Sequence, residues 1–199
     1  LFTNNINNYI FSRKLSSTIS GDSIADEMPV YKFTAGNAML SGVEIFVDIH
    51  PHPLDWLHFQ NSFSYVNAQL SNQPDSAKYL PFTPPAKWVS DIRIDIEKAG
   101  RYFANSFLSF GLQYFFKQDK IFAAYNTETT TPAYTLLNAS FGGDILINKK
   151  TVAKLCITGT NLADIAYQSH LSRLKYAPVN NLSGRTGVYN MGRNISIKL

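Results

Sequence analysis

Along most of this chain apolar and polar side chains alternate with a period of two. In residues 91–97, Ile92, Ile94 and Ile96 alternate with Asp91, Arg93, Asp95 and Glu97. In 43–50, Val43, Ile45, Val47 and Ile49 alternate with Glu44, Phe46, Asp48 and His50. The pattern returns in 102–116, where Leu108, Phe110, Leu112, Tyr114 and Phe116 share a parity, and again in 133–147, 151–160 and the closing Ile195, Ile197 and Leu199. Successive side chains of a strand point to opposite faces, so each segment is a strand with one apolar and one polar face. Residues 4–14, with Ile6 and Ile10, and 56–70 read as less regular strands, and 43–50 belongs to a long strand over 30–50 with a break near Gly36. The fold class is all-β, antiparallel, with about eight strands.

The connections sort by length. Those at 15–29, 71–84, 118–132 and 162–187 are long, those at 51–55, 99–101 and 148–150 are short, and the two kinds alternate. A soluble sandwich has no reason to obey that order, whereas an outer-membrane barrel has short periplasmic turns and long extracellular loops. Only 16% of residues are charged, against roughly 25% in an average soluble protein. No apolar run approaches the roughly 20 residues of a spanning helix. In hydrocarbon every backbone N–H and C=O needs an internal partner, which leaves a closed barrel as the spanning form. Apolar faces then meet lipid and polar faces line the lumen, with Trp56, Tyr102, Tyr114 and Tyr134 expected in the interfacial girdles. A soluble β protein with these aromatics in its core is the competing reading. The single Cys156 excludes an internal disulfide and a Cys-only zinc site. The chain starts at Leu1 without a signal-peptide pattern, so a processed product or a piece of a longer protein is expected.

Several segments resemble the barrel of TonB-dependent outer-membrane receptors. Ala38-Met39-Leu40-Ser41-Gly42-Val43-Glu44 resembles that family's A-x-L-x-G-x-E element, followed by His50-Pro51 and Trp56-Leu57. Leu80-Pro81-Phe82-Thr83-Pro84-Pro85 resembles its L-P-x-x-P-P loop, and Tyr134 to Asn138 its Y-x-x-x-N strand start. Asn161-Leu162-Ala163-Asp164 with Tyr167 resembles N-L-x-D/N-x-x-Y, and Gly192-Arg193-Asn194 leads into the last strand. The end departs from the family in closing on Leu199 rather than an aromatic residue. The resemblance implies that residues 1–199 are the C-terminal part of a receptor barrel in the bacterial outer membrane, without the plug domain. It implies active uptake of a scarce ligand such as an iron–siderophore or haem complex. The implied partners are outer-membrane lipid, the receptor's own plug, TonB and the barrel-assembly machinery. A self-contained eight-stranded barrel with a structural or adhesion role is the alternative.

Candidate sites follow from this placement. Tyr125, Tyr167, His170, Arg173, Tyr176 and Arg185 lie in long outer loops and are candidates for ligand contact. A short helix is expected near 162–168. Glu44, Asp48, Asp91, Arg93, Asp95 and Glu97 are expected to face the lumen. His50, His52 and His58 lie near Asp48 around a turn, but their spacing enforces no metal geometry, so no metal is expected. No nucleophile elbow, phosphate-binding glycine loop or EF-hand pattern is present, and neither an enzyme nor a cofactor is expected. The net charge of +4 is spread rather than clustered, which does not favour nucleic-acid binding.

Overall fold

The computed structural model describes residues 1–20 and 27–199. It contains β1 (Phe2–Ser20), β2 (Glu27–Ile49), β3 (Leu57–Leu70), β4 (Lys87–Ala99), β5 (Phe103–Phe115), β6 (Tyr134–Ile147), β7 (Lys150–Thr160) and β8 (Asn194–Lys198). All eight form one antiparallel sheet in chain order, with β1 and β8 at its two ends. Among the described residues the only helical pieces are single 3-10 turns at Asp75–Ala77, Ala124–Asn126 and Arg173–Tyr176, and no helix is long and apolar enough to cross a membrane.

The ladder carries each strand's polar parity onto one continuous face. Glu44 lies opposite Ser64 and Asp48 opposite Gln60. Gln60 lies opposite Asp91 and His58 opposite Arg93. Asp91 and Arg93 meet Gly111 and Ser109, which meet Asn138 and Ser140. Ser140 then meets Thr158 and Thr158 meets Ser196. Glu97, two residues beyond Asp95, shares this inner face. The outer face carries Ile45, Phe63, Ile92, Phe110, Leu137 and Ile157 in the same pairings. Ile45, Ile92, Phe110, Leu137, Ile195 and Ile197 are all exposed in the chain alone. An apolar surface this wide requires a non-aqueous neighbour.

Three expectations change. The connection placed at 15–29 is much shorter, because pairing continues through Thr18, Ile19 and Ser20 opposite Pro29, Met28 and Glu27; residues 21–26 lie outside the described residues. The irregularity near Gly36 is not a break in β2 but a bulge in β1, where Asn7 and Asn8 oppose Asn37. Asn8 takes φ 56°, and its N–H donates to Asn37 Oδ1 at 3.2 Å. The extra residue flips the parity, so Ile6 faces inward and Ile10 outward. Tyr134 is on the inner face, stacked at 4.5 Å on Phe115, and so is not a lipid-facing girdle residue. Tyr114, stacked edge-on at 4.6 Å against Phe116, is outward.

The inner face is not polar throughout. At the end bearing the long connections, Ala38, Ala68, Leu70, Ala77, Leu80 and Phe122 are buried together, with Tyr9, Phe11, Leu40 and Val66 against them. Here the inner parity itself turns apolar, with Ala38 and Leu40 on β2 and Val66, Ala68 and Leu70 on β3. An apolar inner face is covered, and the cover here is the connections themselves.

Candidate functional site

Three long connections, 71–86, 116–133 and 161–193, fold over the inner face at the same end of the sheet. The first extends the wall: Tyr79 bridges to Gln69, and Leu80 N–H donates to Ala68 O at 3.0 Å. The second places Phe122 in the apolar cluster, 5.9 Å from Phe11 on β1. The third brings Ser169 and Leu171 beside Ser64, Val66 and Lys87.

A buried polar network joins them. Glu128, 3% exposed, accepts the Phe82 N–H at 2.6 Å on Oε1 and the Phe122 N–H at 2.9 Å on Oε2. His170 of the third connection, 1% exposed, sets Nε2 at 3.4 Å from the same carboxylate and Nδ1 at 2.8 Å from Thr131 Oγ1. Lys175, 8% exposed, donates to Thr129 O at 2.8 Å, Thr130 O at 2.9 Å and Thr131 Oγ1 at 2.7 Å. Gln118 donates to Thr83 O at 2.9 Å and Pro84 O at 3.2 Å. Burial pulls the Lys175 ammonium below its ordinary range, while the nearby Glu128 charge opposes that shift. Burial pushes the Tyr176 phenol up. Buried charges persist only when paired and hydrogen-bonded, so the network makes one cap of three separate connections.

The third connection is clamped at its root. Asn161 Oδ1 accepts the Ile165 N–H at 3.0 Å and its Nδ2 donates to Ile165 O at 2.9 Å. Asp164 Oδ1 accepts the Arg193 N–H at 2.8 Å, tying the exit of the connection to its entry. Tyr167 stacks on Tyr134 at 4.6 Å. These contacts explain the Asn-Leu-x-Asp-x-x-Tyr spacing. They also replace the short helix expected near 162–168, because the Asn161 side chain takes the backbone bonds that a first helical turn would use. The only helical turn in this connection is Arg173–Tyr176.

The candidate contact residues divide. Tyr125 is 49% exposed, with φ 56° and ψ 26°, over the Arg13 guanidinium at 5.2 Å. Arg173 lies over Phe82 at 4.6 Å and Tyr31 at 5.7 Å. The Tyr176 hydroxyl accepts the Thr129 N–H at 3.4 Å. Arg185 stands apart in the Asn180–Gly187 turn, over Tyr189 at 5.1 Å. His170 is inside the cap and positions it. Tyr134, Tyr167, Tyr189, Gln168, Lys175 and Thr130 line a recess of about 460 Å³ between the second and third connections. A larger recess of about 540 Å³ lies at the end of the sheet beside β1 and is lined by Phe2, Gly42, Val43 and Tyr65.

At the opposite end, His58 Nε2 lies 2.8 Å from Asp95 Oδ2, and Asp95 Oδ1 accepts from Arg93 at 2.9 Å. His50 Nε2 is 3.0 Å from Asp48 Oδ1, and the His50 and His58 rings meet edge to face at 4.6 Å. His52 pairs with Asp55 at 3.3 Å, away from them. Among the described residues no three His, Cys, Asp or Glu side chains form a group that could hold a metal. Cys156 is half-buried on the inner face.

Sequence reading missed Glu128, Gln118 and the inward packing. The threonine-rich run Thr127–Thr131 around Glu128 was the available signal: buried carboxylates and ammoniums need hydroxyls and carbonyls close by.

The family described as "TonB dependent receptor-like, beta-barrel" matches residues 1–162. Among solved structures, "Copper transporter OprC" superposes with a TM-score of 0.72 at 13% identity, over 97% of this chain and 27% of that one. The chain thus spans about a quarter of that protein's length. No curated protein matches the sequence.

Proposed function

Because the chain belongs to the TonB-dependent receptor β-barrel family, we propose that it is the C-terminal barrel part of an outer-membrane receptor that imports a scarce ligand under TonB control. The protein is an outer-membrane protein of Gram-negative bacteria. The carrying observation is the cap: three connections fold inward and are locked at one end of the inner face. A wall with such a cap suits capture of a ligand at a mouth rather than passive diffusion through an open pore. The residues Glu44, Asp48, Asp91, Arg93, Asp95 and Glu97 line the wall against which a plug domain would sit. The outer face meets lipid, and the barrel-assembly machinery and TonB are the further partners in this reading.

The proposed cargo is an iron–siderophore or haem complex. Copper is the second reading, because the superposing structure is named a copper transporter. The alternative of a self-contained eight-stranded barrel loses support from the sheet order, in which β8 does not pair with β1. A closed barrel requires that pairing.

Two measurements test the reading. An antibody to β8 should detect, in outer-membrane fractions, a band several times larger than 22.3 kDa. Deleting the gene should abolish uptake of one labelled cargo among ferric siderophore, haem and copper. The full-length gene should restore it only in cells with TonB. Uptake that ignores the deletion, or that is restored without TonB, overturns the proposal.

A further inference from the structure

Several acidic groups on or over the inner face have partners. Asp48, Asp95 and Glu128 each lie within ion-pair distance of a histidine, and Asp144 accepts from Asn105 at 2.8 Å. Arg13 and Lys32 differ. They are direct partners in the β1–β2 ladder, so two cations stand side by side on one face. Among the described residues no carboxylate lies within ion-pair distance of either. Like charges directly opposite one another destabilise a sheet. Arg13 Nε is also buried without a hydrogen-bond partner, and an unmet buried donor adds to that penalty.

The surroundings hold this pair in place. Phe11, two residues before Arg13 and on its face, packs on Phe122 at 5.9 Å. The Lys14 N–H donates to Thr127 Oγ1 at 3.3 Å. Between these two anchors Tyr125 is held over Arg13 at 5.2 Å, in a left-handed backbone conformation uncommon for tyrosine. Lys32 and Tyr125 both remain exposed.

We infer that Arg13, Lys32 and Tyr125 form an anion subsite beside the cap, and that the receptor's ligand presents a carboxylate or phosphate group to it. A guanidinium takes such a group through paired N–H donors, and an ammonium adds a point charge beside it. The Tyr125 hydroxyl and ring edge complete the contact. The inference rests on the receptor reading and narrows it: the subsite accepts an anionic chelate and repels a bare metal cation. The anion is a soluble ligand rather than a lipid headgroup, because Arg13 and Lys32 share the inner face with Phe11, away from the lipid-facing Ile10.

The test uses the full-length receptor in an uncharged detergent, titrated calorimetrically with citrate and with pyrophosphate. Saturable binding of at least one anion at millimolar concentration or tighter is expected. Arg13→Gln and Lys32→Gln should each weaken it about tenfold, and Arg13→Lys should weaken it less than Arg13→Gln. Barrel folding of each variant is verified by its heat-dependent gel shift, which should be unchanged. No saturable binding of either anion, or binding by Arg13→Gln and Lys32→Gln as tight as that of the unmodified receptor, overturns the inference. Binding of lipopolysaccharide micelles alone overturns the soluble-ligand assignment. Anion binding that depends on Arg13 in a receptor without energised uptake would remove the transport reading and leave the subsite. Energised uptake with anion binding indifferent to Arg13 and Lys32 would do the reverse.

Discussion

Replacing Glu128 by Gln is the sharpest probe of the cap. The carboxylate offers one oxygen to the Phe82 N–H at 2.6 Å and the other to the Phe122 N–H at 2.9 Å. An amide has one oxygen, so one of these buried donors must face an NH2 group instead. A buried donor left unsatisfied costs about 1–3 kcal/mol. The opening equilibrium of the cap should therefore rise about 5- to 150-fold, at 1.4 kcal/mol per tenfold. The readout is trypsin cleavage on intact cells. Lys175 is 8% exposed and its ammonium has three acceptors, so the native cap should resist cutting there while exposed Arg185 is cut first. When opening is fast, cleavage follows the open population. Glu128→Gln should raise the rate at Lys175 by that factor and leave the rate at Arg185 unchanged. An unchanged rate at Lys175, in receptor that still reaches the cell surface, would refute the claim that Glu128 holds the cap together.

Ile94→Arg should block membrane insertion, because arginine on the lipid face near the midplane costs about 2–4 kcal/mol, whereas Asp95→Ala should insert normally; comparing the heat-modifiable bands of the two distinguishes the faces. Asn161→Ala should loosen only the third connection, which hydrogen exchange would report as lost protection around Ile165 and Met191. Gly187, at φ +73°, would set a Cβ against the Lys175 carbonyl, so Gly187→Ala should destabilise the cap by more than about 1 kcal/mol, read by the same trypsin assay. Between the lowered Lys175 pKa and its ordinary 10.5 the folded cap binds fewer protons than the open one. Cap protection should therefore increase as pH rises through that window. Lys175→Met should flatten the slope, and protection that falls with pH across the window contradicts the assignment.

Period two was legible throughout, because a strand's two faces meet different solvents and the side chains record it residue by residue. Ile92, Ile94 and Ile96 could be assigned to lipid and Asp91, Arg93 and Asp95 to the lumen with no knowledge of their neighbours. The lengths of the later connections likewise distinguished the two ends of the sheet, while the first, expected over 15–29, is much shorter. Ala38, Leu40, Val66, Ala68 and Leu70 carried a further message, since apolar residues on the otherwise polar parity need cover on the inner face, but nothing in their spacing named the cover.

Register and long-range burial were decided only in three dimensions. One extra residue at Asn7–Asn8 turns Arg13 to the inner face beside Lys32, and a one-residue slip in a ladder reverses every side chain beyond it. Glu128 meets Phe82 from 46 residues away and approaches His170 across the cap. Local sequence carries no signal for such meetings, because a carboxylate in a loop reads as solvated until the fold removes the water. The chain alone thus separated an apolar from a polar parity in the regular strands. The tertiary structure decided which loop charges are buried as struts and which strand charges, Arg13 and Lys32, stand side by side without a carboxylate among the described residues.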